Sequence, residues 1–344
     1  MKKALSFLLI GLVFIAIIVA WLLLGSATGF SEKNKFFFIE KNKTNKANII
    51  ATFEDKYIIK NTSVFALTAD ALDIWENVKP GKYEVKKGAS IVDVVKMLKN
   101  GKQAEIKLVI NKLRLKEDLA KLIGKSFSTD SAEVMLFLNS NDSLQQFGVD
   151  TSTLFTMILP DTYSFYWNTP LQKILSKLKT TSDHFWSKNN RKEKAATVGF
   201  SPEAAYTLAS IVEEETNYND DRAKIASVYI NRLNINMPLQ ACPTIKYAMK
   251  DFTITRIYEK YLFNPSPYNT YRERGLPPGP ICTPSKKCID IVLDAPKTNY
   301  LYFVAKANFD GYHHFSSNYA EHNAYAKEYQ KALDAYMAAK KQKP

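Results

Sequence analysis

At 344 residues and 46% hydrophobic content, the chain is long enough for two or three domains with proper cores and is too apolar for a disordered polymer. A formal net charge of +13 points to acidic surroundings, such as anionic lipid headgroups or a carboxylate-bearing polymer. The lysines are dispersed and form no stripe, which argues against nucleic acid as a partner. The cysteines, Cys242, Cys282 and Cys288, imply no disulfide framework, although Cys282 with Cys288 could close a short loop in an oxidising compartment.

Residues 1–3 form a basic tip ahead of an uncharged apolar run over 4–25, long enough to cross a bilayer as a helix. Lys2 and Lys3 favour a cytoplasmic N-terminus. A signal peptide cleaved near Gly25-Ser26-Ala27 is the rival reading, but the run exceeds the usual apolar core of such a peptide, which favours an uncleaved anchor. Either way, residues beyond about 26 lie outside the cytoplasm. The polar stretch 26–46 reads as a linker lifting the rest off the membrane, with Phe36-Phe37-Phe38 as a first strand or an interfacial cluster.

Over 47–60 the pattern Ile49, Ala51, Phe53, then Tyr57-Ile58-Ile59, predicts short strands. Pro80-Gly81 turns into a strand at Lys82–Val85. Ser90 with Asp93 opens a helix whose apolar face is Ile91, Val94, Val95 and Leu98, Gly101 ends it, and a strand covers 104–110. The segment 47–110 is thus a small α/β module, a binder or a spacer. Residues 111–198 read as a mostly helical connecting region, with helices at 115–123, 132–138 and 171–185. Between the last two, Leu159–Trp167 is a polar turn running into aromatics, fit either for stacking on sugars or for an ordinary core.

The stretch with chemical promise lies in 199–344. Residues 204–216 read as an apolar helix ending in Glu213-Glu214-Glu215. Ala204, Leu208, Ile211 and Val212 gather on one face; Glu215 continues that stripe and Glu213 points roughly the opposite way. A carboxylate in an apolar stripe is desolvated and its pKa rises, as a general acid near neutral pH requires. The competing reading is a frayed helix end with all three side chains solvated. Asn219-Asp220-Asp221 predicts a cap for a second helix over 222–233, and a strand over 300–305 and a last helix from about Tyr319 close the chain.

No G-x-S-x-G, Gly-rich phosphate loop, H-E-x-x-H or C-x-x-C occurs. His313, His314 and His322 match no common metal spacing, and nothing marks Cys242 as an activated nucleophile, so neither metal nor cofactor is expected. A lone buried glutamate suits a narrow set of reactions. Ordinary glycoside hydrolysis needs two carboxylates. One suffices where the sugar supplies its own nucleophile, as in lytic transglycosylation.

The motifs Ala209-Ser210-Ile211-Val212-Glu213-Glu214-Glu215-Thr216, Ile230-Asn231-Arg232-Leu233, Leu239-Gln240 with Pro243-Thr244 and Tyr247, Tyr268–Tyr271, Gly275–Ile281 and Tyr300–Val304 occur in an order and spacing that resemble the MltG-type, YceG-like endolytic murein transglycosylases. Pro160-Asp161-Thr162-Tyr163 and the 82–101 unit match as well, so the resemblance covers nearly the whole chain beyond the anchor. It implies an α+β fold: an N-terminal transmembrane helix, a LysM-like module, a helical connecting region and a mixed α/β catalytic domain. It also implies a membrane-anchored, extracytoplasmic (periplasmic) enzyme that cuts nascent peptidoglycan glycan strands beside the peptidoglycan synthases. In the family's E-x-E-T pattern the second glutamate is catalytic, which falls on Glu215; Glu213, Gln240, Thr244, Asn269 and Tyr271 are the implied substrate contacts. Cys242 departs from the pattern, which usually has aspartate there. Two readings compete: a lysozyme-type hydrolase, for which Asp220 or Asp221 would have to be the second carboxylate, and a non-catalytic peptidoglycan-binding scaffold.

Overall fold

The computed structural model describes residues 2–254 and 256–341 as a mixed α+β protein with two compact units and three two-stranded sheets. The first unit comprises Met1–Leu108, Ser126–Thr129 and Tyr163–Pro170. It opens on α1 (Lys2–Leu24), whose 20 residues Leu5–Leu24 are apolar, unburied by protein and long enough to span a bilayer. A single N-terminal apolar helix of this kind is consistent with a single-pass anchor.

Residues 26–46, expected as a linker, are instead built into this unit. The Ala27 N–H donates to the Ala89 carbonyl at 3.0 Å, the Lys60 N–H donates to Ala27 at 2.9 Å, and Ala27 and Phe30 join the core. Asn34–Ile39 forms β1, antiparallel to β2 (Gly81–Lys86) with Phe37 opposite Tyr83. Phe37 and Ile39 point inward while Phe36 and Phe38 stay exposed; this is a period-two strand whose polar flanks disguise it.

Of residues 47–60, expected as short strands, those up to Asp55 form a helix, α2 (Lys46–Asp55), and the Tyr57-Ile58-Ile59 segment contributes only a single antiparallel bridge, from Ile59 to Thr28. Asn45 caps α2 by accepting the Asn48 N–H at 3.0 Å, and Ile49 and Phe53, one turn apart, share the buried face while Ala51 is exposed. Then come α3 (Thr62–Ala71), capped by Asn61, and α4 (Ile91–Lys99), where Ser90 and Asp93 close the expected capping box and Ile91, Val94, Val95 and Leu98 are buried. Gly101 ends α4 at φ +58°, a left-handed position that suits glycine. β3 (Glu105–Ile110) pairs with β4 (Asp161–Tyr166).

The second unit comprises Val109–Lys125, Asp130–Thr162 and Leu171–Pro344. The helices expected in 111–198 appear as α5 (Lys116–Ser126), α6 (Ser131–Leu138) and α8 (Leu171–Trp186), with short α7 (Asn141–Gln145) and α9 (Arg191–Thr197) beside them. At the centre is α10 (Pro202–Glu215), packed against α9, α11 (Asn219–Asn234), α12 (Cys242–Ala248) and α14 (Lys286–Leu293). A one-turn α13 (Glu259–Leu262) precedes the loop that carries Asn269 and Tyr271. β5 (Tyr302–Ala305) and β6 (His313–Ser316) form a hairpin ahead of α15 (Tyr319–Lys341).

Candidate active site at the end of helix α10

Ser201 caps α10 by accepting the Ala204 N–H, and Pro202 sits in the first turn, where its missing N–H costs nothing. Every residue from Ala205 to Val212 is buried. The helix is therefore enclosed on all sides and has no single apolar stripe, which corrects the geometric ground for preferring Glu215. What separates the three glutamates is their partners.

Glu213 is spent on structure. Arg222 Nη2 donates to Oε1 at 3.0 Å, and Ser285 Oγ and N–H donate to Oε2 at 2.8 and 3.3 Å. Arg222 also donates from Nε to the Thr216 carbonyl, tying α11 to the chain just past α10, and Ser285 caps α14. Both side chains of this ion pair are only 10% exposed. Arg222→Ala would strand the Glu213 charge in the interior, and a loss of about 3–5 kcal/mol is expected in chemical denaturation; a loss below about 1 kcal/mol would mean that water replaces the guanidinium.

Glu214 faces another wall, paired with Lys112 Nζ at 2.9 Å and bidentately with Arg114. Burial works to raise its pKa, but the hydrogen bonds from Arg114 and Lys112 prevail and hold the carboxyl below the usual range. Glu215 receives one hydrogen bond, from Tyr229 Oη to Oε1 at 2.5 Å, and no ion pair reaches it among the described residues. Burial pushes its carboxyl up to about 7, against the lowering by Tyr229 and by the charge of Lys246. Its place as the last residue of α10, beside unpaired helix carbonyls, acts in the same direction. Glu215 is still partly exposed, so an external ligand has access to it.

The loops around this carboxyl are held by the motif residues. Arg232 donates to the carbonyls of Leu301, Pro238 and Leu239, and Asn231 donates to those of Thr298 and Tyr300. Ser210 Oγ accepts the Ile281 N–H, which pins the proline-rich 275–281 loop to α10. Gly279 lets that loop pass, since a Cβ there would fall 2.0 Å from the Ser152 carbonyl oxygen.

Gln240 is exposed in a left-handed conformation (φ +51°) fixed by its N–H donating to Thr270. Tyr271 is partly buried, with its hydroxyl 3.1 Å from Cys242 Sγ. The expectation of substrate contact is revised for three residues. Thr244 and Asn269 are 0% exposed: Thr244 bonds Ala241 and Thr270, and Asn269 donates to Leu262 and Asn264 and accepts the Tyr271 N–H. Glu213 has both carboxylate oxygens occupied. All three shape the site from behind its surface.

The other singled-out residues are also placed. Surrounding protein raises the Cys242 thiol above its ordinary value, Tyr271 opposes and the Glu215 charge adds, so the thiol is not an activated thiolate. Cys282 and Cys288 are buried free thiols donating to the Ser210 and Ala209 carbonyls, so no disulfide closes the 282–288 loop. Asp221, expected as a helix cap, turns inward and accepts from the His313 N–H at 2.9 Å, with the His313 ring also at 2.9 Å; Asp220 is exposed, and no side chain caps α11. His314 stacks on Tyr325.

A model of the YceG-like family matches residues 37–328. The chain belongs to that family. Among relatives of this YceG-like chain, the endolytic murein transglycosylase of Bacillus subtilis is 44% identical over 140 residues, which cover 40% of this chain and 35% of that protein. The endolytic murein transglycosylase of Streptococcus pneumoniae is 26% identical over 312 residues, covering 81% of this chain and 56% of that protein. The chain thus spans about half the length, or less, of the curated relatives it matches. A solved structure of a yceG-like protein from Listeria monocytogenes is 28% identical and superimposes with a TM-score of 0.56, covering 86% of this chain and 99% of that one.

Several residues of the YceG-like site escape a reading of the sequence. Tyr229 stands just ahead of the Ile230–Leu233 motif as an ordinary apolar-face tyrosine, and Lys112 and Arg114 lie about a hundred residues before the glutamate they neutralise. The one available signal is that three adjacent glutamates in a buried helix need cations from somewhere.

Proposed function

We propose that this YceG-like chain is a membrane-anchored endolytic lytic transglycosylase acting on the MurNAc–GlcNAc bonds of nascent peptidoglycan, so that glycan strand length is limited. The observation that carries the reading is the sorting of the glutamates: Glu213 and Glu214 are each paired with cations, while Glu215 has none bonded to it and its carboxyl is pushed up to about 7 by burial. A protonated carboxyl delivers its proton to the bridging glycosidic oxygen as the bond to C1 breaks. The resulting carboxylate takes the proton of the C6 hydroxyl, whose oxygen closes onto C1. Glu215 ends as it began, no water is consumed, and the product end is 1,6-anhydro-MurNAc. Tyr229, by holding Oε1, leaves Oε2 to face the sugar. Gln240 and Tyr271 are the proposed substrate contacts, and Glu213, Thr244 and Asn269 are positioning residues.

In this reading α1 spans the membrane with its N-terminus cytoplasmic and the remainder extracytoplasmic, near the peptidoglycan synthases. Residues 47–110 serve as a LysM-like module, 111–198 as a connecting region and 199–344 as the catalytic domain. A lysozyme-type hydrolase finds little support: Glu213, Glu214 and Asp221 are each committed to a partner, and two carboxylates with distinct roles are required. Product masses after incubation with uncrosslinked glycan strands test the reading. Anhydro-muramyl ends are expected; reducing ends would mean hydrolysis, and intact strands with retained binding would mean a scaffold.

A further inference from the structure

Only Gly25 and Ser26 separate the end of α1 from Ala27, which is already hydrogen-bonded within the first unit. The Gly25 N–H still donates to Trp21, so the helical path continues to that point, and the span from Leu24 to Ala27 is at most about 10 Å. Trp21 is 73% exposed, and an exposed tryptophan near the end of a spanning helix marks the level of the headgroups. The surface surrounding this exit is basic. The Lys60 N–H donates to Ala27, the Gly88 N–H donates to Thr28 Oγ1, and the Lys87 N–H donates to Lys33. The side chains of Lys33, Lys60, Lys86 and Lys87 are all exposed. Tyr57, 55% exposed and held at φ +47° against Gly29, adds an amphipathic ring.

Opposing charge is sparse. Asp93 is engaged with Ser90, Glu84 with Asn34 and Glu54 with Thr62, which leaves Glu32 and Asp55 beside them as further exposed acids of these segments. Lysines close to an anionic leaflet are each attracted to it, and the attraction fades within a Debye length. With two residues of slack between the bilayer and Ala27, the Lys60 backbone bonded at Ala27 and the 87–88 turn bonded at Lys33 and Thr28 stay near the chain's exit.

We propose that the lysine collar of Lys33, Lys60, Lys86 and Lys87, with Tyr57, docks the first unit directly onto the anionic phospholipid headgroups around the α1 exit. The proposal rests on the reading of α1 as an uncleaved anchor. Full-length protein in nanodiscs of phosphatidylcholine alone, or with about one-third phosphatidylglycerol, is labelled with a water-soluble amine reagent, and each lysine is followed by mass spectrometry. In the anionic discs the four collar lysines are expected to react about fivefold more slowly, with salt restoring the rate. Lys173 and Lys192, exposed in the second unit, serve as controls and should not change. A Lys60→Gln, Lys86→Gln, Lys87→Gln variant should lose the lipid dependence at Lys33. Equal collar rates in the two discs overturn the proposal, as does protection conferred by a soluble polyanion in phosphatidylcholine discs but not by phosphatidylglycerol. Resistance to alkaline carbonate extraction is scored separately: protein released by carbonate refutes the anchor, whereas retained protein with unprotected lysines refutes the docking alone.

Discussion

Glu215→Gln is expected to lower the rate of anhydro-end formation by about 10²- to 10⁴-fold, the contribution of a positioned general acid and base. Glutamine keeps the shape and can still accept the Tyr229 hydroxyl through its amide oxygen, so the helix end and its loops are retained. It has no acidic proton for the glycosidic oxygen and no basic oxygen for the C6 hydroxyl. Both halves of the proposed cycle are lost together, and a defect confined to kcat with strand binding preserved is the expected pattern. Turnover within tenfold of wild type would remove Glu215 from the proton transfer.

The same substitution should separate the two proteins in stability as pH rises. The folded Glu215 carboxyl titrates at about 7 against 4.5 for the unexposed-to-protein reference. Between those values the folded state holds a proton that the unfolded state has released, so this group's contribution falls as pH rises across the window and is constant below and above it. A shift of that size corresponds to something on the order of 3 kcal/mol. Glutamine has nothing to ionise and escapes the loss. Chemical denaturation should therefore find Glu215→Gln more stable than wild type at pH 8, with the advantage gone near pH 4. Carboxylates held low, such as Glu214 and Asp161, slope the other way but drop out of the difference between two proteins that share them. A gap independent of pH would mean that the Glu215 carboxyl is better solvated than its surroundings imply.

Local signals were the legible part of this chain. The Ser90/Asp93 capping box and the helices of 111–198 arise from interactions a few residues apart, and the strand near Tyr302 pairs within a hairpin of fifteen residues or fewer, so the sequence carries them openly. Over 47–55 the sequence misleads because Ile49, Ala51 and Phe53 alternate as a strand would, while the Asn45 cap that decides for a helix lies four residues before the first of them. The linker was misread because β1 needs its partner β2, which lies beyond two intervening helices, before its alternation means anything. At the site, the expectation for Glu215 comes from its motif, and the stripe argument beside it fails on a helix buried all round. Besides burial, the Glu215 carboxyl is tuned by Tyr229 on the next helix, while Lys112 and Arg114 on a distant segment hold Glu214; these are tertiary pairings, and no local pattern announces them.

The last turn of α10 sends three consecutive carboxylates to three different neighbours: the α11–α14 junction, the strand exit at Lys112–Arg114, and Tyr229. Successive helix residues are about 100° apart, so this is the one arrangement in which adjacent acids avoid each other and each finds its own wall. It also restrains α10 from rolling or sliding, since either motion would strain the three ion pairs of Glu213 and Glu214 together. The carboxyl of Glu215 is therefore aimed before any ligand arrives, and whatever opens and closes around it must come from the loops on the far side of the site, with the helix as the fixed jaw.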